Sequence, residues 1–200
     1  MRITRQQAEQ NRSKVVEAAD ALFREKGFES VAVADLMRAA GLSHGGFYNH
    51  FESKADLEAE VVRQACATSA GRLARKTRGR SAAERRAALA RYVDAYVSAA
   101  MRDAPAPFCA MLAYGADMPR SAPPTRAAFA AGLDAYLDQF AAALGQTNAE
   151  KARARAIRVF STMVGALVLA RATASADAAL SDEILAAANA AFSDKDAGGL

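Results

Sequence analysis

Residues 33–51 read VADLMRAAGLSHGGFYNHF. Val33, Leu36, Met37 and Ala40 recur at i, i+3, i+4 and i+7, which places them on one face of a short amphipathic helix. Gly41 ends that helix, because without a Cβ it accepts the left-handed cap. Only Leu42 and Ser43 separate it from a second run, in which Phe47 and Phe51 lie one turn apart on a buried side. Ser43 stands where that second helix takes its N-cap. Two short helices joined by a tight glycine turn are the local pattern of a helix-turn-helix.

Upstream, residues 11–26 put Val15, Ala19 and Leu22, and Val16, Ala19 and Phe23, at helical spacing, with Gly27 as the stop. Downstream, Ser53-Lys-Ala-Asp56 is a capping box in its Asp form and opens a long helix through Leu57 and Val61 toward Arg78-Gly79. Later helices are expected over about 82–102, 108–116, 125–144, 148–172 and 181–192. Met118 to Pro124 reads as a proline-interrupted loop, and 193–200 as a frayed tail. The period-two runs that a sheet needs are missing, and a composition rich in Ala, Leu and Arg favours helix. The expected fold is all-α: a three-helix domain carrying the helix-turn-helix over residues 1–55, then a second helical domain over 56–200.

The formal charge is +4, but it is unevenly spread. Residues 1–60 carry 8 Lys/Arg against 10 Asp/Glu, and residues 61–100 carry 9 against 2. Net charge therefore does not guide the first segment to DNA, and the basic run Arg72–Arg86 reads as a solvated charged surface or an influence on coupling between domains. Cys66 and Cys109 make neither a disulfide framework nor a metal-type spacing. The polar N-terminus lacks a signal-peptide core, and the apolar stretch Val159–Ala170 is shorter than the roughly 20 residues of a spanning helix. A cytoplasmic protein with no membrane partner, no cofactor and no metal is expected.

Asn11–Val62 closely resembles the N-terminal domain of the TetR family of transcriptional regulators. The likeness is carried by AADALFREKGF, then ADLMRAAGLS, then HGGFYNHFESKADL, in that order. A thinner likeness to the family's C-terminal domain rests on MVGALVLARA (163–172) and LSDEILAAA (180–188). The resemblance implies that Ser43, His44, Gly45 and Gly46 open the recognition helix and face base edges in the major groove. His44 is the base-reading candidate, since its ring nitrogens donate or accept. Ser43 either caps the helix or touches DNA, and Gly45 and Gly46 would permit close backbone approach. Tyr48, His50 and Lys54 hold positions that in this family contact phosphates, and Asn49 could reach sugar, phosphate or base. The sequence departs from the family at Val31-Ala32-Val33-Ala34, where a capping Ser or Thr and a polar contact are usual. A weaker backbone clamp is expected there, supplemented by Arg2, Arg5, Arg12 or Lys14. Read without the family, His44 and His50 are solvated surface histidines. Their spacing of six is not that of facing zinc ligands, and adjacent Ser43 and His44 cannot form a catalytic pair.

In the C-terminal part, Phe160, Val164, Leu167 and Val168, with Ile184, Leu185 and Ala188, give two helices apolar faces. The resemblance implies that these pair with their copies in a four-helix dimer interface, whose two-fold axis matches a palindromic operator. Cys109, Met111, Tyr114, Phe129 and Tyr136 are either pocket-lining contacts for an effector or ordinary core. Cys109 is either a reactive thiol or a buried structural one. The resulting expectation is a homodimeric repressor of duplex DNA that a small molecule releases. The alternatives are a constitutive DNA-binding protein without an effector, or a helical small-molecule-binding protein or enzyme. No clustered acid/base pair, nucleophile constellation or metal set supports an enzyme.

Overall fold

The computed structural model describes residues 4–79, 81–104 and 109–193, with helices and turns as the only regular structure among them. The expectations placed on Arg2, on residue 108 and on the tail from 194 lie outside the described residues. Helix α1 spans Arg5–Lys26, α2 Val33–Ala39, α3 Lys54–Lys76 and α4 Ala82–Tyr96. The short helices α5 (Ala99–Arg102) and α6 (Ala110–Tyr114) follow, then α7 (Pro123–Leu144), α8 (Ala149–Thr173) and α9 (Ala178–Ser193). Two 3₁₀ helices, His44–Asn49 and Met118–Arg120, complete the order.

The chain divides into two compact units. The described residues of Met1–Ala67 and Phe108–Leu133 form the first, and those of Thr68–Pro107 and Asp134–Leu200 the second. The division thus falls elsewhere than at residue 55, and its cause lies in the first unit. Phe28 packs against both Phe23 (4.8 Å between ring centroids) and Tyr114 (5.1 Å). The Tyr114 hydroxyl donates to the Asp20 carboxylate, and Thr125 donates to Glu58 at 3.4 Å. Residues after Phe108 therefore share a core with the helix-turn-helix.

Several boundaries differ from the sequence reading, each for a local reason. Thr4, whose side chain accepts from the Gln7 N–H, starts α1 well before residue 11. The helix expected over 82–102 breaks at Val97, since Ser98 caps a new turn by accepting from the Met101 N–H. The Val97 carbonyl is in turn taken by the Asn189 side chain at 2.8 Å. Pro123 and Pro124 open α7 rather than lying in a loop, because proline is tolerated in a first turn where no intrahelical N–H bond exists. Asp177, accepting from the Leu180 N–H, starts α9 three residues before Ser181.

The second unit is centred on Tyr92, Tyr96, Tyr136, Phe140 and Phe160, all buried. Tyr136 and Phe160 lie 4.8 Å apart, and the Tyr92 and Tyr136 hydroxyls are bonded at 2.8 Å. By length and composition α8 would serve as a membrane span. Here eight of its residues are buried in this unit, and α9 lies against it. Arg102 ties α5 to α9 through Ser181 (3.0 Å) and Asp182 (2.6 Å), and Arg171 caps the Met101 and Ala104 carbonyls.

Candidate nucleic-acid interface

The turn into the recognition element is closed by backbone bonds. The Leu42 N–H reaches the Met37 carbonyl (2.8 Å) and the Gly41 N–H the Arg38 carbonyl (3.0 Å), with Gly41 at φ +71°. That pair of bonds is a Schellman ending, and it needs a residue at ease with positive φ. The recognition element itself is a 3₁₀ helix over His44–Asn49, not an α-helix capped by Ser43. The Ser43 backbone is extended, but its side chain makes no capping bond. Two adjacent glycines explain the irregularity, since each costs about 1 kcal/mol in an α-helix relative to Ala.

Phe47 is fully buried, and its ring lies 5.5 Å from Phe51, so one side of the element is pinned into the core. The opposite side presents Ser43, His44, Gly45, Tyr48 and Asn49, all exposed. Tyr48 is 70% exposed although its ring meets the edge of Phe47 at 5.3 Å, which fixes the direction of its hydroxyl. Gly46 is half-buried, and a Cβ there would lie 3.5 Å from the Met37 methyl. A Cβ on Gly45 would meet nothing within 4 Å, so its want of a side chain serves no packing inside the protein.

The charged residues are arranged differently from the expectation. Lys54 donates to the Phe28 carbonyl and lies 3.7 Å from the Glu58 carboxylate, so its ammonium is held within the unit. Arg12 bonds the His50 carbonyl and Glu60 and stacks 4.2 Å over Phe51, where it locks α1 to the segment after the recognition element. His50 is half-buried beside it. Arg24 pairs with Asp20 and Arg38 with Asp35. Arg5 and Lys14 remain exposed on α1. The strip that faces outward is thus made of hydroxyl, imidazole, amide and bare backbone, with few free cations. At the start of α2 the N-cap is Ala32, with no side-chain cap bond, as the Val31–Ala34 stretch suggested.

The residues considered for an effector fall in different units. Cys109, Met111, Tyr114 and Phe129 belong to the first and Tyr136 to the second. Cys109 is 1% exposed with its Sγ 3.9 Å from the Met111 sulfur, Tyr114 is spent on Asp20, and Tyr136 on Tyr92. Phe129 is half-buried beside Gly115. The second unit instead has an open cleft of about 1100 Å³ at the end of α3, which no motif announced beyond the basic excess around it.

The apolar faces of α8 and α9 divide in the same way. Phe160, Leu167, Leu185 and Ala188 are buried within the subunit's own second unit, with little area exposed. Val164 and Ile184 are half-buried, and Val168 is 47% exposed. Ile157, Leu169 and Leu180 also stand 42–56% exposed.

Residues 15–61 match the family described as bacterial regulatory proteins, tetR family. The transcriptional regulator AcrR of Shigella flexneri is 35% identical over 60 residues, which is 30% of this chain and 28% of that protein. The transcriptional repressor DhaR of Mycobacterium sp. is 40% identical over 53 residues, 26% of this chain and 27% of its own length. The matches thus span under a third of these relatives. Over the whole chain the fold is that of a TetR-family transcriptional regulator from Agrobacterium tumefaciens, with TM-score 0.70, 23% identity, and 92% and 97% of the two chains covered.

Proposed function

We propose that this chain, whose residues 15–61 match the family of bacterial regulatory proteins, tetR family, is a cytoplasmic transcriptional repressor of that kind. In this reading it binds a palindromic operator as a homodimer and leaves it when a small molecule binds. The observation that carries the reading is the outward strip Ser43, His44, Gly45, Tyr48 and Asn49, held rigid from beneath by Phe47 and Phe51. A recognition element enters the major groove with its first residues against base edges. There His44 reads a base, the backbone at Gly45 and Gly46 approaches the duplex closely, and Tyr48 and Asn49 set the register on phosphates and sugars. Arg12, Lys54 and Arg24 are held within the unit, while Arg5, Lys14, Lys26, Arg38 and Arg63 stay exposed as cations for the backbone.

The test is binding to genomic fragments and to the operator recovered from them, followed by fluorescence anisotropy. His44→Ala is expected to change the ranking of operator variants at one base position, by about 1–3 kcal/mol. Tyr48→Phe should weaken all duplexes alike and leave the ranking intact. A His44→Ala protein with the wild-type ranking on every variant would remove the base-reading role. Failure of the chain to retain any genomic duplex would remove the repressor.

A further inference from the structure

Residues 61–100 hold a basic excess that the recognition strip does not use. In the second unit, the end of α3 comes down onto the first turn of α4 at Gly79. A Cβ on Gly79 would lie 2.8 Å from the Arg85 nitrogen and from the Glu84 Cβ, so only glycine allows that approach. The cleft opens beside it. Ala74, Ala142 and Ala143 supply a low apolar wall, Gln139 and Thr77 line it further, and Arg78 and Arg85 supply the charge.

Glu84, the acid on this rim, takes part in the capping box of α4 and keeps its charge, so with Arg78 and Arg85 the rim is net positive by one. Its Oε2 accepts from the Ser81 N–H at 3.2 Å, and the Ser81 hydroxyl accepts from the Glu84 N–H at 3.1 Å. Arg85 gives one N–H to the Gly79 carbonyl at a long 3.4 Å. Arg78 makes no ion pair or side-chain hydrogen bond among the described residues. Elsewhere in the unit the same excess continues. The Arg155 guanidinium is held below its ordinary range by burial and then by Arg158 and Arg86, and its Nε is buried without an acceptor.

Two guanidinium forks over small apolar side chains select for both ends of an amphipathic acid. The planar fork matches a carboxylate in two parallel bonds, while the alanine wall rewards an apolar body. A cation is repelled there, and a bare inorganic anion forfeits the wall. We propose that this cleft binds an organic carboxylate carried on an apolar chain or ring. The proposal names the chemistry of the effector in the reading above, but the site itself is tested without DNA.

Octanoate, octanol, octylammonium and inorganic phosphate are titrated calorimetrically into the full-length protein at constant ionic strength. Octanoate is expected to bind at least about tenfold more tightly than any of the other three. Arg78→Gln and Arg85→Gln should each lower octanoate affinity about tenfold with unchanged helicity and melting temperature. Arg91→Gln, on the exposed side of α4 and outside the cleft, should leave it as it is. The site is overturned if octanoate does not bind, if octanol or phosphate equals it, if Arg91→Gln costs as much, or if the Arg78/Arg85 double variant keeps wild-type affinity. Octanoate that binds by these criteria but leaves operator affinity unchanged upholds the site and sinks only its role as effector chemistry.

Discussion

Lys54 changes its meaning once its surroundings are known. By position it is a phosphate contact, yet its ammonium lies on the Phe28 carbonyl and beside Glu58, a carboxylate only 8% exposed. Burial pushes the Glu58 carboxyl above its ordinary range, against the opposing pull of Lys54 and the Thr125 hydroxyl. A raised carboxyl pKa favours the folded state when protonated, so that stability is present at acidic pH and is lost as pH rises through the folded pKa. Glu58→Gln mimics the protonated form. Its melting temperature should match wild type near the ordinary glutamate range, exceed it increasingly as pH rises, and then hold a constant margin. A margin that shrinks between pH 5 and 8 would contradict this account. Cys66 makes a parallel case. Its thiol is pushed up to about 11, first by burial and then by Cys109, and a Cβ on Gly132 would lie 2.6 Å from its Sγ. At neutral pH almost none of it is thiolate. Iodoacetamide at pH 7.5 should therefore alkylate Cys66 at least about a hundredfold more slowly in the native protein than in urea. Comparable rates would show the site to be open.

At the scale of elements, the helix-turn-helix has one end well made and one end poorly made. The Schellman ending of α2 depends on Gly41 at φ +71°, where a Cβ would meet no neighbour, so the cost of a side chain there is backbone strain alone. Gly41→Ala should lose about 1–2 kcal/mol in urea unfolding. The start of α2 offers the reverse opportunity. Ala32 is exposed at the N-cap with extended backbone and no side-chain bond, so Ala32→Ser should gain about 1 kcal/mol. Unchanged stability in both variants would mean that α2 is held by packing of Leu36 and Met37 alone. These ends were legible in advance because Gly41 and the stretch Val31–Ala34 act locally. What escaped the sequence was decided elsewhere. Asn189 takes the Val97 carbonyl ninety-two residues away and helps split one expected helix into two. Arg12 reads as a DNA contact until Glu60 and the His50 carbonyl are seen to claim it. The recognition segment was found from Gly41, Phe47 and Phe51, whereas its 3₁₀ form follows from a glycine pair whose cost periodicity does not register.

At the scale of the whole molecule, the apolar faces left uncovered point to a second copy of the chain. On α8, Ile157, Ser161, Val164 and Val168 follow one another at i, i+4, i+7 and i+11, beside Gly165 and Leu169, while the opposite side is buried in the subunit. On α9, Leu180, Ile184 and Ala187 make a shorter stripe outward from the buried Ser181, Leu185 and Ala188. Each large apolar side chain that becomes fully buried contributes about 1.5–3 kcal/mol, and a two-fold axis counts every one of them twice. Val168→Asp places a charge in this stripe without touching the core, because Val168 is 47% exposed in the single chain. The variant should keep its helicity and sediment as a monomer at micromolar concentration, where wild type is expected to sediment as a dimer. A monomer engages one half-site at a time and forfeits the avidity of linked sites, so its operator affinity should fall by about 10²–10⁴ while its affinity for an isolated half-site stays the same. A Val168→Asp protein that remains dimeric would move the interface off α8, and one that is monomeric yet binds the full operator at wild-type strength would separate dimerisation from DNA recognition altogether.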